Sequence, residues 1–392
     1  MAFDEQALAE ALRLLEDARE LEPDDARYLA LERAAAFLTK SAKKKRRLRR
    51  KQRSRAADQA LLAAVANEAE GAEGDERGAL HNQRLCYVCK APYREPHARY
   101  RTMCRACGDR SQTKRDEPLE LAGRRALVTG GRVKIGFASA LRLLRAGAEV
   151  VITTRFAGDA SDRFEAEPDH ARWRERLDIV ALDFRDVRGL VAQVARWAAG
   201  APLDIIINNA AQTVRQPPEV YRALHEREGR AVAELDLRRD NSWVQRLGEI
   251  RAVEMVEAQV VNNVAPFVIV NGLLESMARS PRGDRYVVNV SAVEGQFARA
   301  HEDTRHPHTN MAKAALNMLT RTSAGQLRDR GIYMVSVDPG WMSHEGSSAP
   351  SALPPPLDAD DAAARVLDPI ARGVRGEPLW GVLLKDYQVV PW

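Results

Sequence analysis

Two groups of residues carry chemistry by their type and spacing. Cys86-Tyr87-Val88-Cys89 and, fourteen residues on, Cys104-Arg105-Ala106-Cys107 hold all four cysteines of the 392-residue chain. Two CxxC pairs at that separation offer four thiolates to a tetrahedral zinc ion, each pair on a tight knuckle with the intervening residues as a hairpin. All four positions are cysteine and none is left for water, so the zinc is expected to be structural. It would hold a module of about thirty residues, too small to build a core without metal. A redox CxxC belongs beside a βαβ pattern, and none surrounds these pairs. His81 and His97 are spare ligands by type. The second group is Thr129-Gly130-Gly131-Arg132-Val133-Lys134-Ile135-Gly136, which follows a short apolar run and opens a helical pattern. A strand that turns into a helix through glycines aims free backbone N–H groups and a helix N-terminus at one spot, which suits a pyrophosphate.

The elements that must position these groups differ along the chain. From about residue 120 strand and helix patterns alternate, with strands expected at 125–129, 149–153, 177–182, 203–208, 286–290 and 333–337. Helices are expected at 136–145, 190–199, 253–277 and 311–325. In the first of them Ile135, Ala138, Leu141 and Leu144 share one face and Gly147 is the stop. That order predicts an α/β, doubly wound, Rossmann-type parallel sheet. Upstream, 4–18 and 26–38 read as two short amphipathic helices separated by Pro23-Asp24-Asp25. They run into a block from Lys43 to Arg55 with ten Lys or Arg residues. Such a block can grip nucleic-acid phosphates, meet a protein partner, act as a localisation signal, or stand as a solvated helix. No aromatic residue interleaves it, which weakens a case for base stacking.

The expected domains are a helical basic arm over 1–66, a linker over 67–80 containing acidic Glu68 to Glu76, a zinc-binding module over 81–115 and a dinucleotide-binding domain over 120–392. The chain has a net charge of +5, but without the basic block the remainder is net acidic. No uninterrupted apolar segment approaches the roughly 18–20 residues that span a bilayer. Met1-Ala2-Phe3-Asp4-Glu5 lacks the basic-then-apolar order of a signal peptide. A cytoplasmic protein without a membrane partner is expected.

Taken together, residues 120–392 resemble the short-chain dehydrogenase/reductase family. The stretch Thr129 to Gly136 is similar to the family's TGxxxGxG cofactor turn, with Lys134 at its middle glycine. The resemblance makes Thr129, Gly130, Gly131, Arg132, Lys134, Ile135 and Gly136 cofactor-binding. Thr153-Thr154-Arg155 has no acidic residue to hold a ribose 2′-hydroxyl and offers a cation, which favours NADP(H) over NAD. Asp183 falls where the family contacts adenine. Asn208-Asn209-Ala210-Ala211 resembles its NNAG motif, placing Asn209 and Ala210 at the cofactor. Val261-Asn262-Asn263-Val264-Ala265-Pro266-Phe267 resembles VNxxAPF, making Asn262 the helix-interrupting asparagine of the proton relay. Ser291 matches the serine that holds the substrate carbonyl. Pro339 and Gly340 match the turn along the nicotinamide, and Lys313 the lysine that binds its ribose. The resemblance also implies a dimer or tetramer.

The chemistry departs from the pattern at Thr309, which stands where the family's YxxxK helix has tyrosine. A phenol can be brought toward neutral pH by a nearby cation, whereas an aliphatic hydroxyl lies several units higher. His308 abuts Thr309 and titrates in the useful range. The plainer reading of His301, His306 and His308 is a solvent-exposed loop. Other phenols in this domain are Tyr221, Tyr286, Tyr333 and Tyr387. A long insertion from about 212 to 255 follows the fourth strand and suits a lid or an interaction surface. The expected activity is an NADP(H)-dependent oxidoreductase acting on a carbonyl or alcohol. The alternative is a weakly active or inactive NADP-binding protein that engages a partner or nucleic acid through its zinc module and basic arm.

Overall fold

The computed structural model describes residues 4–67, 78–212, 228, 245–298, 304–342 and 355–392. The acidic linker, most of the insertion with Tyr221, His301 and the Pro-rich start of the tail lie outside the described residues. The chain divides into two compact units, residues 1–108 and 109–392.

In the first unit, helix α1 (Glu5–Asp17) starts at Asp4, whose carboxylate accepts the Gln6 N–H at 3.0 Å. Helix α2 (Ala26–Asn67) runs for 42 residues and contains the whole basic block, where the sequence pattern suggested a short helix and a separate charge run. Its residues are mostly strong helix formers with no Gly or Pro, so nothing local stops it. Near its C-terminal end, buried Asp58 accepts the N–H groups of His81 and Asn82 and the Asn82 amide. The Arg101 guanidinium donates to the Leu62 carbonyl at 3.1 Å. These bonds fix the helix end on the cysteine module. There a two-stranded antiparallel ribbon, β1 (Arg84–Leu85) with β2 (Pro92–Tyr93), brackets the first knuckle instead of filling the interval between the CxxC pairs. Helix α3 (Arg105–Asp116) starts inside the second pair and carries Cys107 in its first turn.

The second unit is built on one sheet. Its strands are β3 (Arg125–Thr129), β4 (Glu149–Thr154), β5 (Leu177–Ala181), β6 (Ile205–Asn208), β7 (Arg285–Val290), β8 (Ile332–Asp338), β9 (Leu383–Lys385) and β10 (Gln388–Val390). The spatial order is β10-β9-β8-β7-β6-β3-β4-β5, parallel throughout except for the terminal β9–β10 hairpin. Ile205, Ile206, Ile207, Val287 and Val288 are fully buried, as expected of strands covered on both faces. One face packs against α4 (Lys134–Arg145), whose Leu141, Leu143 and Leu144 join the core there. The same face receives α10 (Ala359–Val374), a helix the sequence pattern did not single out because Pro369 interrupts it. A capping box between Asp358 and Asp361 starts α10.

The other face holds α6 (Val187–Ala199) and a broken helical run: α7 (Ala252–Gln259), one π turn (Val260–Val264) and α8 (Ala265–Ala278). By length and composition that run could cross a bilayer, with a mean hydropathy of 1.3. Here its Ala265, Ile269, Leu273 and Met277 are buried against the sheet. Helix α9 (Pro307–Arg328) completes this layer, and α5 (Ala157–Glu165) follows β4. Strand order reverses between β3 and β6, which opens the crevice at the C-terminal ends of these two strands.

Candidate active site and cysteine centre

The turn after β3 lies at that crevice and is held by side chains across it. Buried Thr129 Oγ1 accepts the N–H groups of Asn209 and Ala210 at 3.0 and 2.9 Å. Asn209 Nδ2 in turn donates to the carbonyls of Thr129 and Gly130 at 3.0 and 3.2 Å. The glycines are required by close approach. A Cβ on Gly130 would stand 2.9 Å from Ala210 Cα, and one on Gly136 would stand 2.1 Å from the Gly130 carbonyl oxygen. Gly130 also has φ +68, and Lys134 takes the same left-handed region at φ +52. The lysine therefore keeps the backbone shape of the glycine whose place it occupies, at a cost of about 1–2 kcal/mol for its Cβ. Helix α4 begins there with no side-chain cap hydrogen bond at Val133, and its N-terminus suits an anion. Ile135 is half-buried behind them.

The cations near the turn have partners of their own. Arg132 pairs with Asp159 Oδ2 at 2.7 Å, and Arg163 takes the same oxygen. Burial pushes the Asp159 carboxyl up, but the two guanidiniums outweigh it and leave it below its ordinary value. Arg132 and Arg155 each lie over the Phe156 ring, 5.3 and 5.4 Å from its centroid. Glu228, in the insertion, accepts the Gly158 N–H at 2.7 Å at the start of α5. That anion-accepting corner had no sequence signal. Asp183 is bound through both oxygens by Arg185 and sits below the usual carboxylate range: its burial is outweighed by that guanidinium.

Beside β6 and β7 a second set of groups converges. Asn208 Nδ2 donates to Asn289 Oδ1, Asn289 Nδ2 to Thr320 Oγ1, and the Thr320 hydroxyl meets that of Ser336, each at 2.8 Å. This buried chain pins three strands and α9 together. Directly after β7, Ser291 is buried and its hydroxyl has no hydrogen-bond partner among the described residues. Lys313 Nζ donates to the carbonyl of Val290, the residue before it, at 2.7 Å. Burial brings the Lys313 ammonium down to about 8, against the opposing pull of Glu294 and Asp338. The turn Val293–Gly295 packs on α9 through Asn317 Nδ2, which donates to the Gly295 carbonyl at 3.0 Å. Asn262 sits in the π turn with its carbonyl oxygen accepting the Gln212 N–H at 2.6 Å and its amide reaching the Gln212 carbonyl. Gly340, at φ +83, donates its N–H to Asp338, whose other oxygen pairs with Lys385. Pro339 between them is buried.

Thr309 is buried on the same helix as Lys313, but its hydroxyl is engaged. Oγ1 donates to the His306 carbonyl at 2.9 Å within the first turn of α9. The structure corrects the exposed-loop reading of His306 and His308, which are 4% and 3% exposed. His306 takes φ +43 and is tied to the Gln245 carbonyl, folding the chain inward before Pro307. Gln259 Nε2 in α7 donates to the His308 carbonyl, while the His308 Nδ1 is buried without a partner among the described residues. Burial pulls its pKa below the ordinary value, with Glu254 opposing, which disfavours the protonated form that a proton donor needs. Tyr286 and Tyr333 sit at the starts of β7 and β8, the end of the sheet away from Ser291. Burial pushes Tyr286 above its ordinary range and Tyr387 up to about 12.

A family model described as short chain dehydrogenase matches residues 124–349. The chain belongs to the short-chain dehydrogenase family. It is 33% identical over 338 residues to an uncharacterised protein of Acanthamoeba polyphaga mimivirus, an alignment covering 73% of this chain and 71% of the viral one. L-xylulose reductase of Mus musculus is 29% identical over 228 residues, covering 56% and 72% of the two chains. The crystal structure of NADPH-bound carbonyl reductase from chicken fatty liver superposes with a TM-score of 0.53 at 21% identity, covering 69% of this chain and all of that one. That likeness shows the fold of the short-chain dehydrogenase unit.

In the first unit the four cysteine sulfurs lie within 4.8 Å of one another. Cys89 Sγ and Cys104 Sγ are 3.8 Å apart, and a tetrahedral site with Zn–S bonds of about 2.3 Å has an edge of about 3.8 Å. The Cys104 N–H donates to Cys86 Sγ at 3.3 Å, and Lys90 turns the first knuckle at φ +59. Burial raises the Cys86 thiol, but N–H donors from Cys104, Cys89 and Val88 outweigh it and bring it to about 7. His97 is outside this group: its Nδ1 accepts the N–H groups of Arg99 and Tyr100.

Proposed function

We propose that the chain is an NADP(H)-dependent oxidoreductase that interconverts a carbonyl and an alcohol at Ser291. The observation that carries this reading is the buried Ser291 hydroxyl, without a hydrogen-bond partner among the described residues, next to Val290, whose carbonyl the buried Lys313 ammonium holds. The cofactor fits the turn after β3, where close backbone contacts at Gly130 and Gly136 form a cradle that any Cβ would fill. Arg155, at a strand end with no carboxylate of its own, favours a 2′-phosphate. Bound there, NADP(H) supplies or accepts the hydride.

This chain's residues do the rest. The Ser291 hydroxyl donates to the substrate oxygen and orients the reacting carbon. Lys313, with an ammonium brought into the working range, holds the proton that the alcohol gains or loses. Thr309 does not do so, since its hydroxyl lies far above neutral and is turned to His306. Asn262 fixes the Gln212 backbone beside the site. The four cysteines would hold a structural zinc that stabilises the first unit without taking part in turnover.

The engaged Thr309 hydroxyl favours a second reading, a protein that binds NADP(H) with little turnover. One experiment separates them: NADPH binding by fluorescence and NADPH consumption over a panel of carbonyl compounds. Binding with measurable turnover supports the enzyme. Binding without turnover across the panel, with turnover gained in Thr309→Tyr, supports the second reading.

A further inference from the structure

We propose that α2 binds double-stranded DNA through its phosphate backbones, seated in the major groove. Lys43 to Arg55 places ten cations in thirteen residues, and no acidic residue occurs between Glu32 and Asp58. All ten side chains are exposed, and none has a hydrogen-bond or ion-pair partner among the described residues. With about 3.6 residues per turn the cations surround the helix. Lys43, Arg47 and Arg50 fall on one flank, and Lys45, Arg49 and Arg53 on the other.

This arrangement selects the partner. A helix that lies on a lipid surface keeps an apolar face, and the block offers Leu48 alone. An acidic protein surface would engage one flank. A groove presents phosphates on both sides at once, and a helix about 10–12 Å wide fits the roughly 12 Å major groove of B-DNA. The major groove of A-form RNA is too narrow for it. The block is about 20 Å long, enough for on the order of six phosphate contacts. Like charges three and four residues apart repel in the free helix, so neutralisation by phosphate also relieves the helix itself.

The helix is presented rather than loose, because Asp58 and Leu62 anchor its end on the cysteine module. That module adds six Lys or Arg against Glu95 alone between Gly78 and Gly108. Gln52 is the one amide side chain in the block able to read a base edge, so binding is largely independent of sequence. The inference does not depend on the oxidoreductase reading.

The test is fluorescence anisotropy of the full-length protein with a labelled DNA duplex of mixed sequence between 50 and 200 mM salt. Six contacts give about a thousandfold loss of affinity across that range. Two variants, Lys43→Gln/Arg47→Gln/Arg50→Gln and Lys45→Gln/Arg49→Gln/Arg53→Gln, retain helix propensity. Each is expected to weaken duplex binding at least tenfold and to flatten the salt slope, with unchanged circular dichroism and NADPH binding. A salt-independent affinity, or a loss confined to one flank variant, overturns the proposal. So does equal binding to duplex RNA, or tighter binding to phosphatidylserine vesicles than to DNA at the same salt.

Discussion

At the scale of single residues, the chemistry turns on Lys313 and Thr309. Lys313 has its pKa lowered from 10.5 to about 8 by burial. In carbonyl reduction the rate should fall as pH rises through about 8, where the ammonium loses its proton. Lys313→Met is expected to cut turnover about a hundredfold and to abolish that pH limb, as steady-state rates across pH 6 to 10 would show. Stability has its own sign. The unfolded lysine keeps its proton up to about 10.4, so between about 8 and that value the unfolded chain binds more protons and stability rises with pH. Lys313→Met should lack that rise in urea midpoints. Thr309 illustrates a local cause with a distant effect: a short hydroxyl in the first helical turn finds the carbonyl three residues back and is removed from the crevice.

At the scale of elements, the β3–α4 turn and the end of α2 are held by specific contacts that can be broken singly. Gly136→Ala puts a methyl group 2.1 Å from the Gly130 carbonyl. It is expected to cost about 1–3 kcal/mol and to weaken NADPH binding at least tenfold by moving the helix start, measured by thermal unfolding and fluorescence titration. Lys134 occupies a left-handed backbone position that suits glycine. Lys134→Gly is expected to leave stability within about 1 kcal/mol, since relieved strain and lost chain entropy offset each other. If its charge serves the cofactor, NADPH binding weakens more than NADH binding. At the other element, Asp58→Ala removes the acceptor for His81 and Asn82. Hydrogen exchange at those two amides should accelerate at least tenfold, while amides of β3 and β6 keep their protection.

At the scale of the whole molecule, each of the two compact units has its own source of stability. The first has few buried apolar side chains among the described residues and brings four sulfurs within 4.8 Å of one another, so its order is expected to depend on metal. The second carries two extensive apolar clusters, one on each face of an eight-stranded sheet. Removing zinc with a strong chelator should therefore abolish exchange protection over residues 78–108 and leave NADPH affinity unchanged. Metal analysis of the intact protein should give one zinc per chain, lost in Cys104→Ser. A parallel fall in NADPH affinity would mean that the second unit depends on the first.

The sequence alone determined the six parallel strands from β3 to β8, the glycine turn after β3 and the cysteine centre, because each rests on local rules: strand and helix periods, glycines at a tight turn, and paired cysteines at fixed spacing. It also exposed Thr309, since one hydroxyl for another is legible without coordinates. What only the tertiary structure decided is where side chains spend their hydrogen bonds. Arg132 belongs to Asp159, Asp183 to Arg185, the Thr309 hydroxyl to His306, and the Gln259 amide to the His308 carbonyl. Helix α10 was hidden by Pro369 and is held by burial on the sheet, and α2 outran its apolar pattern because helix propensity extends through charged residues. Pairings between residues far apart in sequence depend on the packing of strands and helices, and no local pattern encodes them.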